Sequence, residues 1–413
     1  GCVTPAPAQV RQTFAQHMAA GDPQGATAAF YEMCRACDYI KVDSIAQNIR
    51  YFADSPCGEL EITINLSKPE KDPKEIAKLK NAPSVGYPKC MLCVENPGYA
   101  GRNNFPARQN HRIVPVTLAG DPWFFQYSPY LYYPEHCIIF NSKHVPMKIS
   151  RGTFERLFSF VEQFPHYFLG SNADLPIVGG SILNHDHFQG GHYTFPMDKA
   201  PIRCALKCPD PQVEAGILDW PMSALALTGT EPARLIELAD KLLCAWRNYS
   251  DPACEVYAET EGQPHNTVTP ILRRVDGKYR LLLVLRNNRT SAEHPLGIFH
   301  PHAPLHHIKK ENIGLIEVMG LAVLPSRLKD ELKTLKDVML KNGDVSSVES
   351  IAKHAEWAAQ VKRDHPEMNE ANAEHILQQE VGKVFVKVLE NAGVYKCTAE
   401  GRKAFRMFVE SVR

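Results

Sequence analysis

Two histidines and a glutamine alternate near the middle of the chain, at His185, His187 and Gln189. In an extended segment, side chains two residues apart share one face, so these three would point one way and the intervening Asp186 and Phe188 the other. Glycine pairs flank the segment, and backbone without side chains can approach anionic oxygens closely. The pattern fits a phosphate site with a histidine nucleophile, and it fits a pair of metal-binding histidines equally well.

The chemistry open to His187 depends on what its neighbours can supply. A neutral imidazole can attack phosphorus when its other ring nitrogen donates to a fixed acceptor. The resulting phosphoramidate is energy-rich, which suits transfer between two similar acceptors. Gln189 can donate an amide N–H to a phosphate oxygen, but it cannot act as a proton-transferring acid or base. The pair therefore favours a leaving group that needs no proton, such as a sugar phosphate, unless Gln189 only satisfies a buried backbone group.

A second constellation has the spacing of a metal site. Cys90 and Cys93 are separated by two residues, which lets two thiolates bind one zinc ion. His144 follows a predicted strand, and His185 lies beside the candidate nucleophile. Four such ligands would form a closed, structural site that holds His187 still. The alternatives are reduced cysteines in the core and a surface histidine in a turn.

Phosphate groups would need cationic partners, and three segments offer them. Arg108 and Arg112 lie in a polar turn before a predicted strand, Arg286 and Arg289 close a later one, and Lys310 follows a histidine-rich segment. Arginine forks bind phosphate oxygens in pairs. Taken singly, each of these residues is better explained as a solvated surface charge than as a phosphate ligand.

The bulk composition excludes some classes of function. The chain has 413 residues, and 46 Lys and Arg residues balance 46 Asp and Glu residues. A general nucleic-acid or membrane-surface binder would carry a basic excess. No apolar run approaches the roughly 20 residues that span a bilayer. The 12 scattered cysteines are typical of buried thiols in a reducing, cytoplasmic compartment.

Apolar periodicity predicts an α+β protein in four segments. Residues 1–85 are predicted to be mostly helical, including Ser44–Phe52 and Asp72–Leu79, with one strand at Leu60–Leu66. Residues 86–204 read as strands around a helix at Ser150–Phe164, and this unit contains the alternating histidines. Residues 205–325 read as a second such unit, whose strands Asn266–Arg273 and Tyr279–Arg286 flank a hairpin turn. Residues 326–413 are predicted to be helical.

The segment from Asn184 to Gly191, read as Asn-His-Asp-His-Phe-Gln-Gly-Gly, resembles the active-site stretch of UDP-glucose–hexose-1-phosphate uridylyltransferases. These are the second type of galactose-1-phosphate uridylyltransferases, in the histidine-triad superfamily. Further similar stretches are Ile62–Pro73, Pro106–Pro115, Phe140–Ile149, Leu285–Ile308 and Glu311–Pro325. The resemblance covers roughly residues 40–400, and it implies two histidine-triad-like antiparallel units with helical flanks.

The resemblance also implies a reaction and a set of roles. UMP would pass from UDP-glucose to galactose 1-phosphate, giving UDP-galactose and glucose 1-phosphate, through a uridylylated histidine. Carried over, His187 is the nucleophile and Gln189 steadies the transferred phosphoryl group. Asn172 and Ser181 match polar residues that contact the nucleotide. Cys90, Cys93, His144 and His185 correspond to ligands of a structural zinc ion.

The ligands expected on this basis are UDP-sugars and hexose 1-phosphates, and the protein partner expected is a second copy of the chain in a homodimer. No nucleic acid, membrane or organic cofactor is expected. Three alternatives remain. A hydrolase of nucleotide sugars or dinucleotides would need an acid that Gln189 cannot supply. A zinc-organised binding protein would show no turnover. A cupin-like isomerase would bind a catalytic metal at both His185 and His187.

Overall fold

The structure is a computed structural model that describes residues 4–67 and 86–412. The predicted helix at Asp72–Leu79 lies outside the described residues. One antiparallel sheet of ten strands runs through the molecule. Its strands are β3 (Val114–Leu118), β4 (Asp121–Tyr127), β5 (Cys137–Asn141), β6 (Phe168–Gly170), β7 (His187–Gly191), β8 (Ile202–Leu206), β9 (Glu214–Leu218), β10 (Ala224–Gly229), β13 (Asn266–Val275) and β14 (Lys278–Asn287).

The ten strands form two halves with the same topology. The order across the sheet is β3-β4-β5-β7-β6-β13-β14-β10-β9-β8. In each half, three strands are followed by a helix and two more strands, and the last strand lies between the third and fourth. The predicted α+β class with two related antiparallel units is therefore confirmed. The predicted boundary at residues 204/205 falls inside β8, and the extents of the four segments stay a prediction.

The two halves meet at a short contact between β6 and β13. Only Gly170 with Ile271 and Leu169 with Leu272 are paired there. The second half is built on the long β13–β14 hairpin, whose turn residues Asp276 and Gly277 have φ of 49° and 80°. Positive φ at both central positions matches the right-handed twist of the strands, which confirms the predicted hairpin.

Some helices cover one face of the sheet, and others pack on the opposite face. The described helices of four residues or more are α1 (Pro7–Ala19), α2 (Pro23–Ala36), α3 (Val42–Ile45), α4 (Arg151–Gln163), α5 (Pro232–Arg247), α6 (Leu315–Val318), α7 (Leu328–Leu340), α8 (Ala355–Asp364), α9 (Ala373–Ala392) and α10 (Ala399–Ser411). The predicted helix at Ser150–Phe164 is confirmed as α4. Its buried stripe, which includes Phe154 and Leu157, packs in one core with Phe125, Phe188 and Leu283 of the sheet.

A three-stranded sheet lies against the opposite face. It contains β1 (Ile49–Ala53), β2 (Leu60–Ile64) and β15 (Leu321–Leu324), with β2 in the middle. The prediction of a helix over Ser44–Phe52 is wrong for its second half, because residues 49–53 form β1. The pairing of β1 with β2, and of β2 with a strand some 260 residues later, overrides the local helical pattern.

The remaining strands, β11 (Glu259–Thr260) and β12 (Gln263–Pro264), form a separate two-stranded ribbon. Over the ranges 4–67 and 86–412, we find no helix that combines the length and the apolar character needed to cross a bilayer.

Replacing Gly170 with alanine should lower the free energy of unfolding by about 1–3 kcal/mol, as overpacking of a close contact usually does. A Cβ at this position would lie 2.9 Å from a Leu315 methyl carbon and 3.0 Å from the Pro270 carbonyl oxygen. Urea unfolding followed by circular dichroism would measure the change. Gly86→Ala is the matched control, because a Cβ there meets nothing within 4 Å. Equal stability of the two variants would contradict a tight contact between the halves.

Candidate active site

Four side chains separated in sequence converge beside the start of β7. The ligand atoms of Cys90, Cys93, His144 and His185 all lie within 4.8 Å of one another. The two sulfurs are 3.7 Å apart, and each lies 3.2 Å from the Nδ1 atom of one histidine, Cys90 from His185 and Cys93 from His144. Such convergence of two thiols and two imidazoles is typical of a metal centre.

The spacing of these atoms fits a tetrahedral metal ion. Two sulfurs bound at about 2.3 Å in tetrahedral geometry would lie roughly 3.8 Å apart, close to the observed separation. Burial raises the pKa of the Cys90 thiol to about 12. A bound cation would offset this penalty, because it favours the thiolate. The donor set and its geometry therefore suit a closed, four-ligand site.

The turn that carries the two cysteines is held by backbone contacts. The fully buried Asn96 donates its side-chain amide to the carbonyls of Cys90 and Cys93 at 2.9 and 2.8 Å. The backbone N–H groups of Leu92 and Cys90 approach the two sulfurs, each at 3.4 Å. These contacts fix both sulfurs on one side of the turn, so the position of the metal centre does not depend on flexible side chains.

His185 is oriented for binding through one particular nitrogen. Its Nε2 lies 2.8 Å from the carbonyl oxygen of Asn141, at the end of β5. A carbonyl only accepts, so Nε2 carries the proton and Nδ1 presents its lone pair to the Cys90 side of the cluster. A second partner of this kind commonly fixes the tautomer of a metal-binding histidine.

His187, the first residue of β7, has one nitrogen engaged and one free. Its Nδ1 donates to the carbonyl oxygen of His185 at 2.8 Å. Its Nε2 makes no hydrogen bond to any described residue, and it is not among the sealed, unpartnered polar atoms. Burial lowers the pKa of His187 to about 4, so the ring is neutral near pH 7. An accessible lone pair on a fixed, neutral imidazole is the state that a nucleophile requires.

Gln189 lies on the same face, and its amide has a partner that the sequence did not reveal. Its Oε1 lies 3.0 Å from Nε2 of His136, a residue only 2% exposed. Burial lowers the pKa of His136 to about 4. In the sequence, His136 reads only as the opening residue of a predicted strand, with no spacing that ties it to Gln189. The contact arises because β5 pairs with β7.

The residues between the functional side chains face the other way, as the alternation predicts. Phe188 packs against Trp123 with ring centroids 5.2 Å apart, inside the helical core. The glycines that follow serve strand packing, since a Cβ at Gly190 would lie 2.6 Å from the carbonyl oxygen of Phe168. Glycine at position 190 therefore allows β6 and β7 to lie close together.

The predicted nucleotide-contacting residues lie before β7. Asn172 is buried just after β6, and Ser181 is exposed in the segment that leads to His185. The Oδ1 atom of Asn172 accepts the backbone N–H of Leu315 at 2.9 Å. The structure thus gives Asn172 a role in joining the two halves, and it leaves Ser181 open to solvent.

Arg286 holds the same segment from the second half. It is 1% exposed and donates to the carbonyl oxygen of Ile313 at 2.8 Å and to Thr269 at 3.3 Å. Asn172 and Arg286 therefore clamp residues 313–315 from the two sides of the joint. The Nε atom of Arg286 is buried and has no partner in the described chain.

The three remaining predicted arginines all donate to backbone carbonyls. Arg112 donates to the carbonyls of Pro5, Gln109 and His111, which favours a structural role. Arg108 donates to the carbonyl of Met91, beside the cysteine turn, and Arg289 to that of Glu255.

Lys310 differs from these arginines because it is exposed. Together with Ile177, His300 and Asn312, it lines a cavity of about 370 Å³. A cation at the edge of a cavity is better placed to meet a ligand than one whose donors are satisfied by backbone carbonyls.

Comparison with known proteins gives two family models that match most of the chain. One, described as the galactose-1-phosphate uridyl transferase N-terminal domain, matches residues 1–146. The other, described as the galactose-1-phosphate uridyl transferase C-terminal domain, matches residues 160–359.

Curated relatives are similar over nearly the whole chain. A galactose-1-phosphate uridylyltransferase of Halalkalibacterium halodurans is 52% identical over 416 residues, covering 100% of this chain and 82% of the relative. One from Streptococcus pneumoniae strain G54 is 55% identical, with 99% and 83% covered. One from Bacillus subtilis strain 168 is 52% identical, with 100% and 81% covered.

Replacing Cys90 with serine should remove a bound transition-metal ion, because one of four converging ligands is lost. Elemental analysis of the purified protein should give about one ion per chain before the change and close to none after it. Cys244→Ser is the control, since that exposed thiol lies on α5, outside the cluster. A Cys90→Ser protein with its full metal content would show that the four side chains do not form the site.

Proposed function

Since the chain belongs to the galactose-1-phosphate uridylyltransferase family, a family of nucleotidyltransferases, we propose that it transfers UMP from UDP-glucose to galactose 1-phosphate through His187. The observation that carries this proposal is the state of that ring. Its Nδ1–H is held by a backbone carbonyl, while Nε2 is unpartnered and accessible. A double displacement through a covalent intermediate follows from such a nucleophile.

In the first step, Nε2 of His187 attacks the α-phosphorus of UDP-glucose. The new P–N bond forms as the bond from the α-phosphorus to the bridging oxygen breaks. Glucose 1-phosphate leaves with the electron pair, and no proton is needed because phosphate monoesters remain largely dianionic above their second pKa of about 6. The imidazole becomes cationic, and the His185 carbonyl that accepts its Nδ1–H stabilises this charge.

In the second step, a phosphate oxygen of galactose 1-phosphate attacks the same phosphorus. The P–N bond breaks, its electron pair returns to Nε2, and UDP-galactose is released. His187 is restored with its proton still on Nδ1. The two steps are chemically alike, so one pocket with a single set of phosphate contacts serves both.

Gln189 supports the transferred phosphoryl group in both steps. Its Oε1 faces His136, so its amide N–H groups are free to donate to a non-bridging phosphoryl oxygen. A preorganised donor of this kind stabilises charge that develops in the transition state. Because an amide does not ionise, the site does not activate water as a carboxylate base would.

We also propose that the metal ion of the Cys90, Cys93, His144 and His185 cluster is zinc in a structural role. Two sulfur and two imidazole ligands with no open position are typical of structural zinc, and a bound ion would hold the turn and β7 together. None of the eleven cysteines that the structure describes forms a disulfide bond. A reducing compartment such as the cytoplasm would keep the two ligand cysteines reduced and able to bind the ion.

The covalent intermediate can be detected directly. Incubation with UDP-glucose labelled in the α-phosphate should leave one uridylyl group on the peptide that contains His187, seen as a mass increase that is lost in acid. His187→Ala should show no label. His192→Ala is the control, because that side chain is largely exposed and belongs to the opposite face of the strand. Labelling that persists in His187→Ala would refute the assignment.

Gln189→Ala should lower kcat by about 10²–10³-fold, the usual effect of removing one donor to a developing oxyanion. The release of glucose 1-phosphate in a coupled assay would measure the rate. The change also leaves the buried Nε2–H of His136 without its partner, which should lower stability by about 1–3 kcal/mol, so circular dichroism would check that the variant is folded at the assay temperature. A variant that keeps the parent kcat would show that the amide does not contact the transferred group.

A further inference from the structure

We propose that His136 is a positioning residue for uridylyl transfer, whose Nε2–H holds the Gln189 carboxamide with its N–H groups towards the transferred phosphoryl group. This inference rests on the proposed function and extends it to a residue outside the His187 and metal motifs. His136 immediately precedes β5, and the antiparallel pairing of β5 with β7 brings it alongside Gln189. It acts through Gln189, so it need not touch the substrate.

The position of the proton on His136 follows from its surroundings. The ring is 2% exposed, and its Nδ1 is buried without a partner in the described chain. A proton on Nδ1 would be an orphaned buried donor, which is rarer in proteins than an unsatisfied acceptor. The proton is therefore on Nε2, where it is donated to Oε1 of Gln189 over 3.0 Å.

This donor decides which way the amide of Gln189 faces. A carboxamide has an accepting oxygen and a donating nitrogen, and the two ends exchange places when the group turns over. With Oε1 held by His136, the nitrogen points away and can donate to a phosphoryl oxygen. With the amide reversed, its oxygen would face the phosphoryl oxygens and repel them. A fixed orientation therefore removes the unproductive state before substrate arrives.

Packing alone does not require a histidine at this position. The ring of His136 lies between those of Tyr133 and Tyr132, with centroids at 4.6 and 5.5 Å. A phenylalanine would fill such an aromatic site without leaving a buried nitrogen unpaired, a state that costs about 1–3 kcal/mol. The hydrogen bond to Gln189 is the one polar contact of the His136 side chain among the described residues.

The test is a double-mutant cycle between His136→Phe and Gln189→Ala. His136→Phe keeps the ring and removes the donor, so the rate of intermediate formation in a single turnover should fall about 10–100-fold, as with other partners that orient functional groups. KM for UDP-glucose should change much less than kcat. The double variant should be no slower than Gln189→Ala alone, because each change removes the same interaction.

Two further variants separate positioning from folding. His136→Gln places an amide donor near the original Nε2 position and should recover part of the lost rate, whereas His136→Met fills the space without a donor and should not. His166→Phe is the control, since the half-buried ring of His166 bonds to Thr27 and its replacement should not alter turnover. Thermal unfolding identifies the variants that remain folded.

The outcomes are distinct. Wild-type-like rates in folded His136→Phe and His136→Met would overturn the inference, and so would a double variant whose losses multiply. If the wild-type protein itself forms no uridylyl adduct from UDP-glucose, the proposed function fails and this inference fails with it. If the wild-type protein forms the adduct and the folded His136 variants form it at the wild-type rate, the positioning role is wrong while the proposed function stands.

Discussion

The hydrogen bond from Nδ1–H of His187 to the carbonyl oxygen of His185 is the contact on which the site depends. It sets the tautomer of His187, the proposed nucleophile, restricts rotation of its ring, and would provide an acceptor for the charge that develops on the ring during attack. The acceptor is a backbone atom of a residue whose own side chain is fixed twice, by Cys90 and by the Asn141 carbonyl. A metal ion bound at His185 would thus position the nucleophile without contacting the substrate.

The short strand β7 can carry this arrangement because it lies inside the sheet. It contains five residues and is paired on both sides, with β5 and β6. Through β6, the same sheet continues into the second half, whose long hairpin has no counterpart to the alternating histidines. That half instead contributes Arg286, which with Asn172 holds residues 313–315 against the joint. The strand that carries His187, the proposed nucleophile, therefore belongs to a sheet of ten strands, half of which come from the second half of the fold.

Whether a structural element could be predicted from the sequence depends on how far apart along the chain its interacting residues lie. The apolar runs of β13 and β14, separated by a turn signal, identify those strands because their pairing is local, across one tight turn. The helix predicted over Ser44–Phe52 was wrong in its second half, since β1 is defined by partners distant in sequence. Residue type alone also could not show that the donors of Arg112 are occupied by backbone carbonyls.

The site residues divide in the same way. The cysteine spacing and the alternation around His187 are local patterns, so both were visible in the sequence, although His144 and His185 could be joined to the cysteines only by order along the chain. His136 left no pattern of its own. Its importance arises from cross-strand pairing between β5 and β7, and register of this kind cannot be derived from the composition of either strand.

In the proposed mechanism, the neutral amide of Gln189 beside the nucleophile favours transfer over hydrolysis. A carboxylate at the position of Gln189 would repel the phosphoryl oxygens when ionised and would offer a proton or activate water as it titrates. An amide can only stabilise the developing charge, by donating hydrogen bonds to the phosphoryl oxygens. Sugar phosphates depart without protonation, and the uridylylated ring is already cationic and expels neutral imidazole, so neither half-reaction of the proposed mechanism needs an acid. With Oε1 of the amide bonded to His136, the donating nitrogen is the end of Gln189 left to face the transferred group in the proposed mechanism. The intermediate then reacts with a second sugar phosphate, whose phosphate oxygen is nucleophilic without a base.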